Sequence, residues 1–550
     1  MAYQVPNTFV NNIEVADANQ VNANFTYLTG ILNSIVPTLA GADPTGLTDS
    51  APAFAAAAAA NPGGTVHVPP GVYLWNSAQT FTSPILFVGA GWNERTESPS
   101  TPEAGTWIKI TDTAIAPITF TAAAAGASGF VNIAFEQAHP TPASGWAPTA
   151  YEPVITILGT GGTLGGEILL DTVFFYNIYR AISVPGTNGD CGRIRMSHIS
   201  GQVFDYLFYG TLITDVVHAD DFHIWPFWSS NQYVLAWQQA NGIVIKLARC
   251  DGWQSDHIFL FGYLYGAALL TDANGVATNF YCGDLYADAC QCGVIITGSG
   301  TSGYIGKLTT GGEILAGGYL PASHAYEDAA TGTTFAIGRL LVLGCGGAAI
   351  YLGNPAGAAN LDVGSCFIES FNQDNNSSPA ILIASSSAFS RINMATGFAT
   401  GGSNNSGPLA TLNGNILTGI WLPFTPIILG STGAGTATYS VQEGEYIILG
   451  NMITIRGAIA FSSFNGTGDA LIGGLPFEVS GSALPSFGIV GSMAGITLDS
   501  GYTTLGVILG GSSTAMGLYE SGSGETTTNL SVATLGAAAT IEFEISARAF

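Results

Sequence analysis

A group of aspartates shares one stretch of this 550-residue chain with many aromatic rings. Glycoside hydrolysis typically needs two carboxyl groups, about 5 to 5.5 Å apart for retention or about 6.5 to 9.5 Å apart for inversion. One group, its pKa raised by burial, donates a proton to the leaving oxygen, and the other, ionised, attacks the anomeric carbon or activates water. The candidate catalytic residues are Asp220, Asp221, Asp256 and Asp284.

The spacing of these aspartates suggests neighbouring positions in a repeating structure. Aligning Phe222–Phe227 with Ile258–Tyr263 places Asp220 opposite Asp256. Side chains on adjacent parallel strands lie about 5 Å apart, and those two strands away lie about 10 Å apart. Pairing of Asp220 with Asp256 would therefore favour retention, whereas pairing across two coils, as of Asp220 with Asp284, would favour inversion.

Aromatic and histidine side chains around the aspartates are suited to contact with sugar rings. The same alignment places Asp221 opposite His257. A structural alternative exists for each group, because an aspartate beside a turn often caps a backbone N–H and aromatic residues often stack in a core. The candidate substrate-binding residues are Trp225, Trp228, Trp253, His223, His257 and Tyr263.

Other acidic pairs and a different reaction remain open. A lyase would need a carboxylate cluster, assisted by calcium, and a basic residue that removes the proton α to a uronate. The histidines lack metal-ligand spacing, so we expect hydrogen-bonding roles for them, and neither a metal nor a cofactor. The alternative acidic residues are Glu167 and Asp171, Glu313, Glu327 and Asp328, and Glu369 with Asp374. The cations available to a lyase are Arg180, Arg193, Arg195, Lys246, Arg249 and Lys307.

The composition favours a folded chain rich in strands and turns. Lys and Arg number 12 against 37 Asp and Glu, a formal charge of −25, and only 9% of residues are charged, against roughly 25% in ordinary soluble domains. A hydrophobic fraction of 47% is enough to bury a core. Because the chain has few cations, we expect no nucleic acid partner. We also expect no membrane insertion and no positively charged signal peptide.

The seven cysteines contain no Cys-x-x-Cys pattern. We therefore expect small buried core residues rather than metal ligands or disulfides, in a protein assembled in a reducing cell. They are Cys191, Cys250, Cys282, Cys290, Cys292, Cys345 and Cys366.

A repeat between about residues 180 and 385 predicts the fold. A turn residue followed by a short apolar strand recurs every 24 to 32 residues, with almost no helical sequence between the copies. Such a period predicts a parallel β-helix, in which each coil stacks its strands on the previous coil. The repeat begins at Gly210, Gly242, Gly266, Gly293, Gly318, Gly347 and Pro379.

The start of the body predicts a short helix followed by strands. Gly41–Ser50 is typical of turns, and Asp49 or Ser50 can cap a helix that holds Pro52 in its first turn. Thr65–Trp75 then predicts a strand, a turn and another strand.

The two ends of the chain differ from this body. Residues 1–40 predict a separate segment with one amphipathic helix, because apolar residues recur every three to four positions. Residues 386–415 are typical of a linker. Residues 416–550 alternate apolar and polar residues between Gly-rich turns, which predicts an antiparallel β-sandwich without helices.

Seven segments of the chain have a familiar sequence: Val15–Phe25, Gly41–Ser50, Gly63–Tyr73, His223–Trp228, Tyr439–Tyr446, Leu449–Thr454 and Gly473–Phe477. In this order they resemble segments of bacteriophage tailspikes and tail fibres. The first resembles their virion-attachment end. The second and third are similar to the opening of pectate-lyase-like right-handed β-helices, where the intervening helix caps the solenoid. The fourth resembles polysaccharide-degrading tailspikes, and the last three resemble a C-terminal sandwich of tail fibres.

The resemblance implies a homotrimer with three parts. Residues 1–40 would attach to the phage tail or baseplate, residues 41–415 would bind and depolymerise host capsule, exopolysaccharide or O-antigen, and residues 416–550 would trimerise or bind a receptor. Such a protein is assembled in the host cytoplasm, belongs to the virion and acts at the host cell surface. A non-catalytic receptor-binding fibre is the alternative.

Overall fold

The structure is a computed structural model. It describes residues 39–95, 102–121, 126–159, 167–186, 193–271, 275, 277–312, 320–353, 359–371, 373, 380–383, 391–399, 410–412, 417–418, 421–449, 452–475, 485–510 and 514–548. The predicted helix in residues 1–40 falls almost wholly outside these ranges. The chain divides into two compact units. Unit 1 is Met1–Ala330, Leu341–Ala349 and Gln373–Asn376, and unit 2 is Thr331–Leu340, Ile350–Asn372 and Ser377–Phe550.

The described part of unit 1 contains two helices and a series of mostly short strands. The helices are α1 (Ala51–Ala60) and α2 (Gln232–Asn241). The strands are β1 (Thr45–Asp49), β2 (Thr65–His67), β3 (Gly71–Leu74), β4 (Gln79–Phe81), β5 (Leu86–Val88), β6 (Thr106–Ile110), β7 (Ile118–Thr121), β8 (Ala127–Gln137), β9 (Ile155–Leu158), β10 (Glu167–Val184), β11 (Ile194–Gly210), β12 (Ile213–Ile224), β13 (Ile243–Leu247), β14 (Cys250–Phe261), β15 (Tyr265–Leu269), β16 (Asn279–Asp288), β17 (Cys292–Ile296), β18 (Ser302–Gly311) and β19 (His324–Asp328).

These strands pair in parallel and form long ladders. The first ladder runs through β2, β5, β8, β10, β11, β12, β14, β16 and β18. The second ladder runs through β4, β7, β9, β10, β11, β13, β15, β17 and β19. The strands β10 and β11 are long enough to take part in both. This architecture confirms the predicted parallel β-helix.

The sequence repeat corresponds mainly to the second ladder. Strands β13, β15 and β17 follow or contain Gly242, Gly266 and Gly293, and they stack directly on one another. The copy at Gly210 precedes β12, which belongs to the first ladder. Gly318 and Pro379 lie outside the described residues.

The start of the body differs from expectation in one element. Gly41–Ser50 contains the strand β1, because its backbone pairs with β3. The predicted helix α1 follows with Pro52 in its first turn, and the Asp49 side chain accepts a hydrogen bond from the backbone N–H of Ala51 at 3.1 Å. Phe54 of this helix packs against rings of the coil interior.

The coil interior is apolar. Cys191 lies outside the described residues. The other six cysteines are buried free thiols, which confirms the prediction that they are core residues. Within the described residues, no helix is long and apolar enough to span a membrane.

Unit 2 contains parallel strands followed by a ten-stranded antiparallel sheet. The parallel strands, including β20, which both units share, are β20 (Thr333–Gly344), β21 (Ile350–Leu352), β22 (Ala359–Ile368), β23 (Ile381–Ile383), β24 (Arg391–Ala399), β25 (Ala410–Leu412) and β26 (Leu417–Thr418). The antiparallel strands are β27 (Leu422–Phe424), β28 (Ile427–Gly430), β29 (Ala437–Leu449), β30 (Met452–Phe464), β31 (Ala470–Gly473), β32 (Ser486–Ile496), β33 (Thr504–Leu509), β34 (Met516–Ser521), β35 (Thr528–Asn529) and β36 (Leu535–Arg548).

The antiparallel sheet confirms the predicted antiparallel C-terminal part. Its spatial order is β27, β29, β30, β36, β32, β33, β34, β31 and β28, with β35 beside β34. Among the described residues of this part, the one helical segment is a 3₁₀ turn at Val532–Thr534.

The predicted linker at residues 386–415 is partly strand. Strands β24 and β25 fall within it and pair in parallel with β22 and β23. Pairing with a neighbouring coil therefore overrides the local preference of this polar sequence for turns.

Candidate functional site

A column of left-handed residues runs along the first ladder. Each occupies the equivalent place in a successive coil, with φ between 51° and 57°. Strand β8 pairs with β5 before its left-handed residue, Asn132, and with β6 after it, so this residue marks a bend. This bend column consists of Asn132, Thr172, His198, Asp221 and His257.

The bend makes two consecutive side chains of a strand face outward. In β12, Ala219 and Phe222 are buried, whereas Asp220 and Asp221 between them are exposed. An ordinary strand would alternate its faces residue by residue. The bend therefore increases the density of outward side chains where the candidate catalytic residues lie.

The predicted alignment of the aspartates is confirmed by the strand register. Asp220 lies opposite Asp256 in β12 and β14, and the flanking pairs place Asp221 opposite His257. His257 Nδ1 lies 3.1 Å from Asp220 Oδ1 and 3.7 Å from Asp256 Oδ2. One imidazole thus contacts carboxylates from two adjacent coils.

Both aspartates also hold the local backbone. Asp220 Oδ1 accepts a hydrogen bond from the backbone N–H of Asp221 at 3.0 Å. Asp256 Oδ1 accepts from the backbone N–H groups of His257 and Asp284, each at 2.9 Å. Asp220 and Asp256 therefore bind backbone N–H groups, as turn aspartates do, and also pair across adjacent coils. The backbone hydrogen bonds orient the two carboxylates.

Asp284 occupies a different column. In the register of β14 and β16, Gly283 lies opposite Asp256, and Asp284 lies opposite His257. The Asp284 carboxylate accepts a hydrogen bond from Lys307 Nζ at 3.0 Å. Asp284 lies two coils from Asp220, as predicted, but one position along the strand from the place that Asp220 and Asp256 share, because Gly283 takes that place in its coil.

A second histidine and carboxylate lie on the preceding coils. His198 Nδ1 lies 2.8 Å from Asp171 Oδ1, and its Nε2 lies 4.0 Å from Asp221 Oδ2. Ser197 Oγ donates a hydrogen bond of 2.7 Å to the same Asp171 oxygen. Both bend-column histidines therefore have the hydrogen-bonding roles expected from the sequence.

The carboxylates raise the basicity of both imidazoles. The hydrogen bond with Asp220, reinforced by the charge of Asp256, raises the pKa of His257 above 6.5. The hydrogen bond with Asp171 does the same to the pKa of His198. Burial alone would raise the pKa of Asp171, but its hydrogen bonds bring that pKa below its ordinary value.

The predicted burial of a catalytic aspartate is not found in the single chain. The side chain of Asp220 is 61% exposed and that of Asp256 is 49% exposed. Water reaches both carboxylates, so a hydrogen-bonded imidazole, rather than burial, is what holds a proton near them.

Aromatic rings line one side of the aspartates. His223, Phe259 and Tyr286 are in register on β12, β14 and β16, two residues beyond the bend. The Trp225 ring is 38% exposed and packs on Phe261 with ring centroids 4.5 Å apart. We call His223, Phe259 and Tyr286, together with Trp225, the aromatic row. Trp225 and His223 lie outward, as predicted.

Two exposed tyrosines lie on the other side of the aspartates. Tyr281 and Tyr304 pair in register and are 45% and 46% exposed. Sequence reasoning missed both, together with Phe259 and Tyr286. Their spacing relative to the bend would have identified them, but a left-handed residue carries no distinctive sequence signal when it is not glycine.

Three of the predicted substrate-binding rings are buried. Trp253 is fully buried in the coil and stacks on Phe280, with ring planes 8° apart. Tyr263 is also fully buried, and its hydroxyl accepts a hydrogen bond from the backbone N–H of Val203. Trp228 is 8% exposed within an aromatic cluster. The structural alternative therefore holds for Trp253 and Tyr263.

Four of the alternative acidic residues are bound to other side chains or lie partly or fully buried. Glu167 binds Arg195, and Asp171 binds His198. Asp328 is 1% exposed and accepts a hydrogen bond from the backbone N–H of Ala330. Burial raises the pKa of Glu327. Glu369 follows β22 in unit 2, and Glu313 and Asp374 lie outside the described residues.

The cations suggested for a lyase all have partners in the structure. Lys246 Nζ lies 5.3 Å from the ring centre of Tyr209. The ion pairs are Arg180 with Asp205, Arg193 with Asp215, Arg195 with Glu167, Arg249 with Asp251 and Lys307 with Asp284. Of these cations, Lys307 pairs with a candidate catalytic residue.

Known proteins are similar to this chain in structure. No family model matches it, and no curated protein matches it. The Dettilon tailspike protein is similar over 92% of this chain and 92% of its own, with 13% identity and a TM-score of 0.41. The enzymatically active domain of bacteriophage CBA120 tailspike protein 2 covers 91% of this chain and 70% of its own, with 12% identity and a TM-score of 0.28. The tailspike of Acinetobacter baumannii bacteriophage Fri1, described as a capsular polysaccharide depolymerase, covers 91% and 83%, with 10% identity and a TM-score of 0.26.

Proposed function

We propose that this chain is a bacteriophage tailspike that binds and cleaves host surface polysaccharide by glycoside hydrolysis. The observation that carries the proposal is the contact of Asp220 and Asp256, on adjacent coils, with one imidazole. The exposed ring of Trp225 lies on one side of this group, and those of Tyr281 and Tyr304 lie on the other. Exposed rings suit sugar faces, and paired carboxylates suit cleavage of the bond between sugars.

The spacing of the coils favours a retaining reaction. Adjacent coils are about 4.8 Å apart, near the separation of about 5 to 5.5 Å that retaining enzymes use. In our assignment Asp256 is the nucleophile, because two backbone N–H groups fix its Oδ1 and leave Oδ2 to attack the anomeric carbon.

The proton comes from the Asp220 and His257 pair. The hydrogen bond with Asp220 and the charge of Asp256 raise the pKa of His257 and so favour the protonated imidazole. As Asp256 attacks and the glycosidic bond breaks, this proton passes to the leaving oxygen. Water then attacks the glycosyl-enzyme ester, and its proton returns to the imidazole. Asp221 and Asp284 flank the reacting groups and are assigned supporting roles.

Substrate binding is assigned to the aromatic row. Trp225 offers an exposed ring, and His223 and His257 offer ring N–H groups to sugar hydroxyls. Trp228 supports the row from beneath through its aromatic cluster.

We also propose a homotrimer whose C-terminal sheets contact one another. Phe487 and Ile489 share one face of β32 and are 57% and 68% exposed. Two such apolar side chains side by side are costly in water and are stabilised by a second copy of the chain. Light scattering should give three chains per particle, and a Phe487→Ser, Ile489→Ser double variant should dissociate.

The catalytic proposal is tested by incubating the purified protein with host capsule, exopolysaccharide and O-antigen. Asp256→Asn and Asp220→Asn should each lower turnover by about 10² to 10⁴, with glycan binding retained. Asp362→Asn is the matched control, because Asp362 is an exposed aspartate on β22 of unit 2. Proton NMR of the first product should show the anomeric configuration of the substrate.

Two other outcomes would contradict the proposal. Glycan binding without released oligosaccharide would identify a non-catalytic receptor-binding fibre. Products that absorb in the ultraviolet as unsaturated uronates would identify a lyase.

A further inference from the structure

Large apolar side chains are exposed at few places in the described part of unit 1. They are Leu47, Trp225, Tyr233, Tyr281 and Tyr304. Trp225 lies in the aromatic row, and Tyr281 and Tyr304 lie on the other side of the aspartates. These two tyrosines, on β16 and β18, are 45% and 46% exposed and occupy the same place on adjacent coils. Exposed rings grouped on one face indicate a binding surface.

Glycine takes the place of the aspartates on the coils of these tyrosines. The strand register puts Gly283 opposite Asp256 and Gly306 opposite Gly283. Each glycine follows its tyrosine by two residues, so the two positions share one face of the strand. Neither glycine has a side chain to cover the backbone, and both are accessible to solvent. A strip of open backbone thus continues from Asp256 over the next two coils.

An ion pair borders the other side of this strip. Asp284 and Lys307 directly follow the two glycines, and Lys307 Nζ lies 3.0 Å from Asp284 Oδ2. Their side chains are 38% and 41% exposed. The carboxylate accepts hydrogen bonds and the ammonium group donates them, so both can bind sugar hydroxyls. We call the two tyrosines, the two glycines and this ion pair the tyrosine groove.

The spacing of the tyrosine groove suits a glycan chain. Adjacent coils lie about 4.8 Å apart, which is close to the length of one sugar unit in an extended polysaccharide. Tyr281 is one coil beyond Asp256, and Tyr304 is two coils beyond it. A glycan whose cleaved bond lies at Asp256 can therefore place its next two units beside these two rings.

We propose that the tyrosine groove binds two consecutive pyranose units of the polysaccharide on one side of the bond that is cleaved. This inference rests on the proposed function, because it takes Asp256 as the place of cleavage. The apolar face of one unit packs on Tyr281 and that of the next on Tyr304, while their hydroxyls bind Asp284 and Lys307. The two tyrosines thus determine specificity for the length of the substrate.

A second copy of the chain is the other candidate occupant of the tyrosine groove. The centres of protein interfaces are depleted of charged residues, whereas this groove contains a partly exposed ion pair. The groove also continues directly from Asp256 along the strand register. Both observations favour a glycan.

The test measures binding of host capsule, exopolysaccharide and O-antigen to the full-length protein. Asp256→Asn is the background, because it should bind without cleaving. Tyr281→Thr and Tyr304→Thr each remove a ring at an exposed strand position that suits threonine, and each should weaken binding about tenfold. Tyr281→Phe and Tyr304→Phe keep the ring and should restore most of the affinity. Tyr502→Ala removes a tyrosine ring from unit 2 and should leave binding unchanged.

Oligosaccharides of increasing length test the two tyrosines separately. They are made from the bound polysaccharide by partial acid hydrolysis, so their preparation needs no enzyme activity. In the Asp256→Asn background, affinity should rise with each of two added sugar units. When Tyr304→Thr is also present, only the first of these two increments should remain. A tyrosine with a merely structural role would not change this dependence on length.

The outcomes separate this inference from the proposed function. Unchanged affinity in folded Tyr281→Thr and Tyr304→Thr would overturn the inference alone. Dissociation of either variant, seen by light scattering, would also overturn it, because the tyrosines would then form an interface between copies. Where both variants fail to fold, affinity that does not rise with the two added units would overturn it. Absence of binding to all three polysaccharides would overturn both the inference and the proposed function.

Discussion

One methyl group at Gly283 would test the assignment of Asp256 without altering the carboxylate itself. Gly283 lies opposite Asp256 in the register of β14 and β16. A Cβ added there would lie 2.6 Å from Asp256 Cγ and nearer still to Oδ1. The atoms that it meets are the end of a half-exposed side chain, which can rotate away while the backbone stays in place.

The displacement sets the expected loss of activity. Carbon atoms pack at about 3.5 to 4.0 Å, so the Asp256 carboxylate has to move by about 1 Å or more. A misplacement of about 1 Å costs a reaction on the order of 10²-fold. We therefore expect Gly283→Ala to lower turnover about 10²-fold and to lower the temperature of unfolding slightly, because the movement strains the two hydrogen bonds that Asp256 Oδ1 accepts.

The assay compares two alanine variants on adjacent strands. Release of reducing ends gives kcat and KM, and calorimetry gives the unfolding temperature of the assembled protein. Gly252→Ala is the matched control, because the nearest atom to its added Cβ, Val216 Cγ2, lies at an ordinary 3.4 Å. This control should retain both turnover and stability.

Wild-type turnover in folded Gly283→Ala would refute the assignment of Asp256 as the nucleophile. Loss of the folded protein would refute a different step, the expectation that the carboxylate gives way rather than the coil. An equal loss in Gly252→Ala would show that any added methyl group disturbs the ladder.

Three further predictions concern pH, binding and assembly. Because Asp220 and Asp256 raise the pKa of His257, activity should be full below that pKa and fall as pH rises through it. In Asp220→Asn the residual activity should be lost at lower pH, as a pH profile of kcat would show. Trp225→Ala should raise KM with a smaller effect on kcat, because the exposed ring contacts sugar rather than the reacting bond; an unchanged KM would remove Trp225 from the site. Deletion of residues 1–40 should leave trimer and activity intact, as light scattering and oligosaccharide release would show, and loss of folding would contradict their role in virion attachment.

The coils and the Asp220 and Asp256 pair were predictable from the sequence for one reason. A coil repeats the same environments, so equivalent places carry similar apolar segments even where helix α2 lengthens one coil. The coil of Asp284 was predictable too, but its position within that coil was not, because Gly283 takes the place of an aspartate there and no local pattern separates two neighbouring positions.

The inward or outward direction of the rings was harder to predict. Alternation along a strand assigns faces only while its phase is constant. The left-handed residue His257 changes that phase in β14, with Trp253 before it and Phe259 after it. Trp253 was therefore expected outside but is buried, and Phe259 was overlooked but lies in the aromatic row.

The backbone separates the candidate acids into two groups. Asparagine, aspartate and histidine are the ordinary non-glycine choices at left-handed positions, so the bend column explains Asp221 and His198 without any reaction. Neither Asp220 nor Asp256 is among the described residues with positive φ. On the preceding coil, Ser197 occupies the same place. Backbone conformation does not require a carboxylate there, so these two aspartates, rather than Asp221, carry the catalytic assignment.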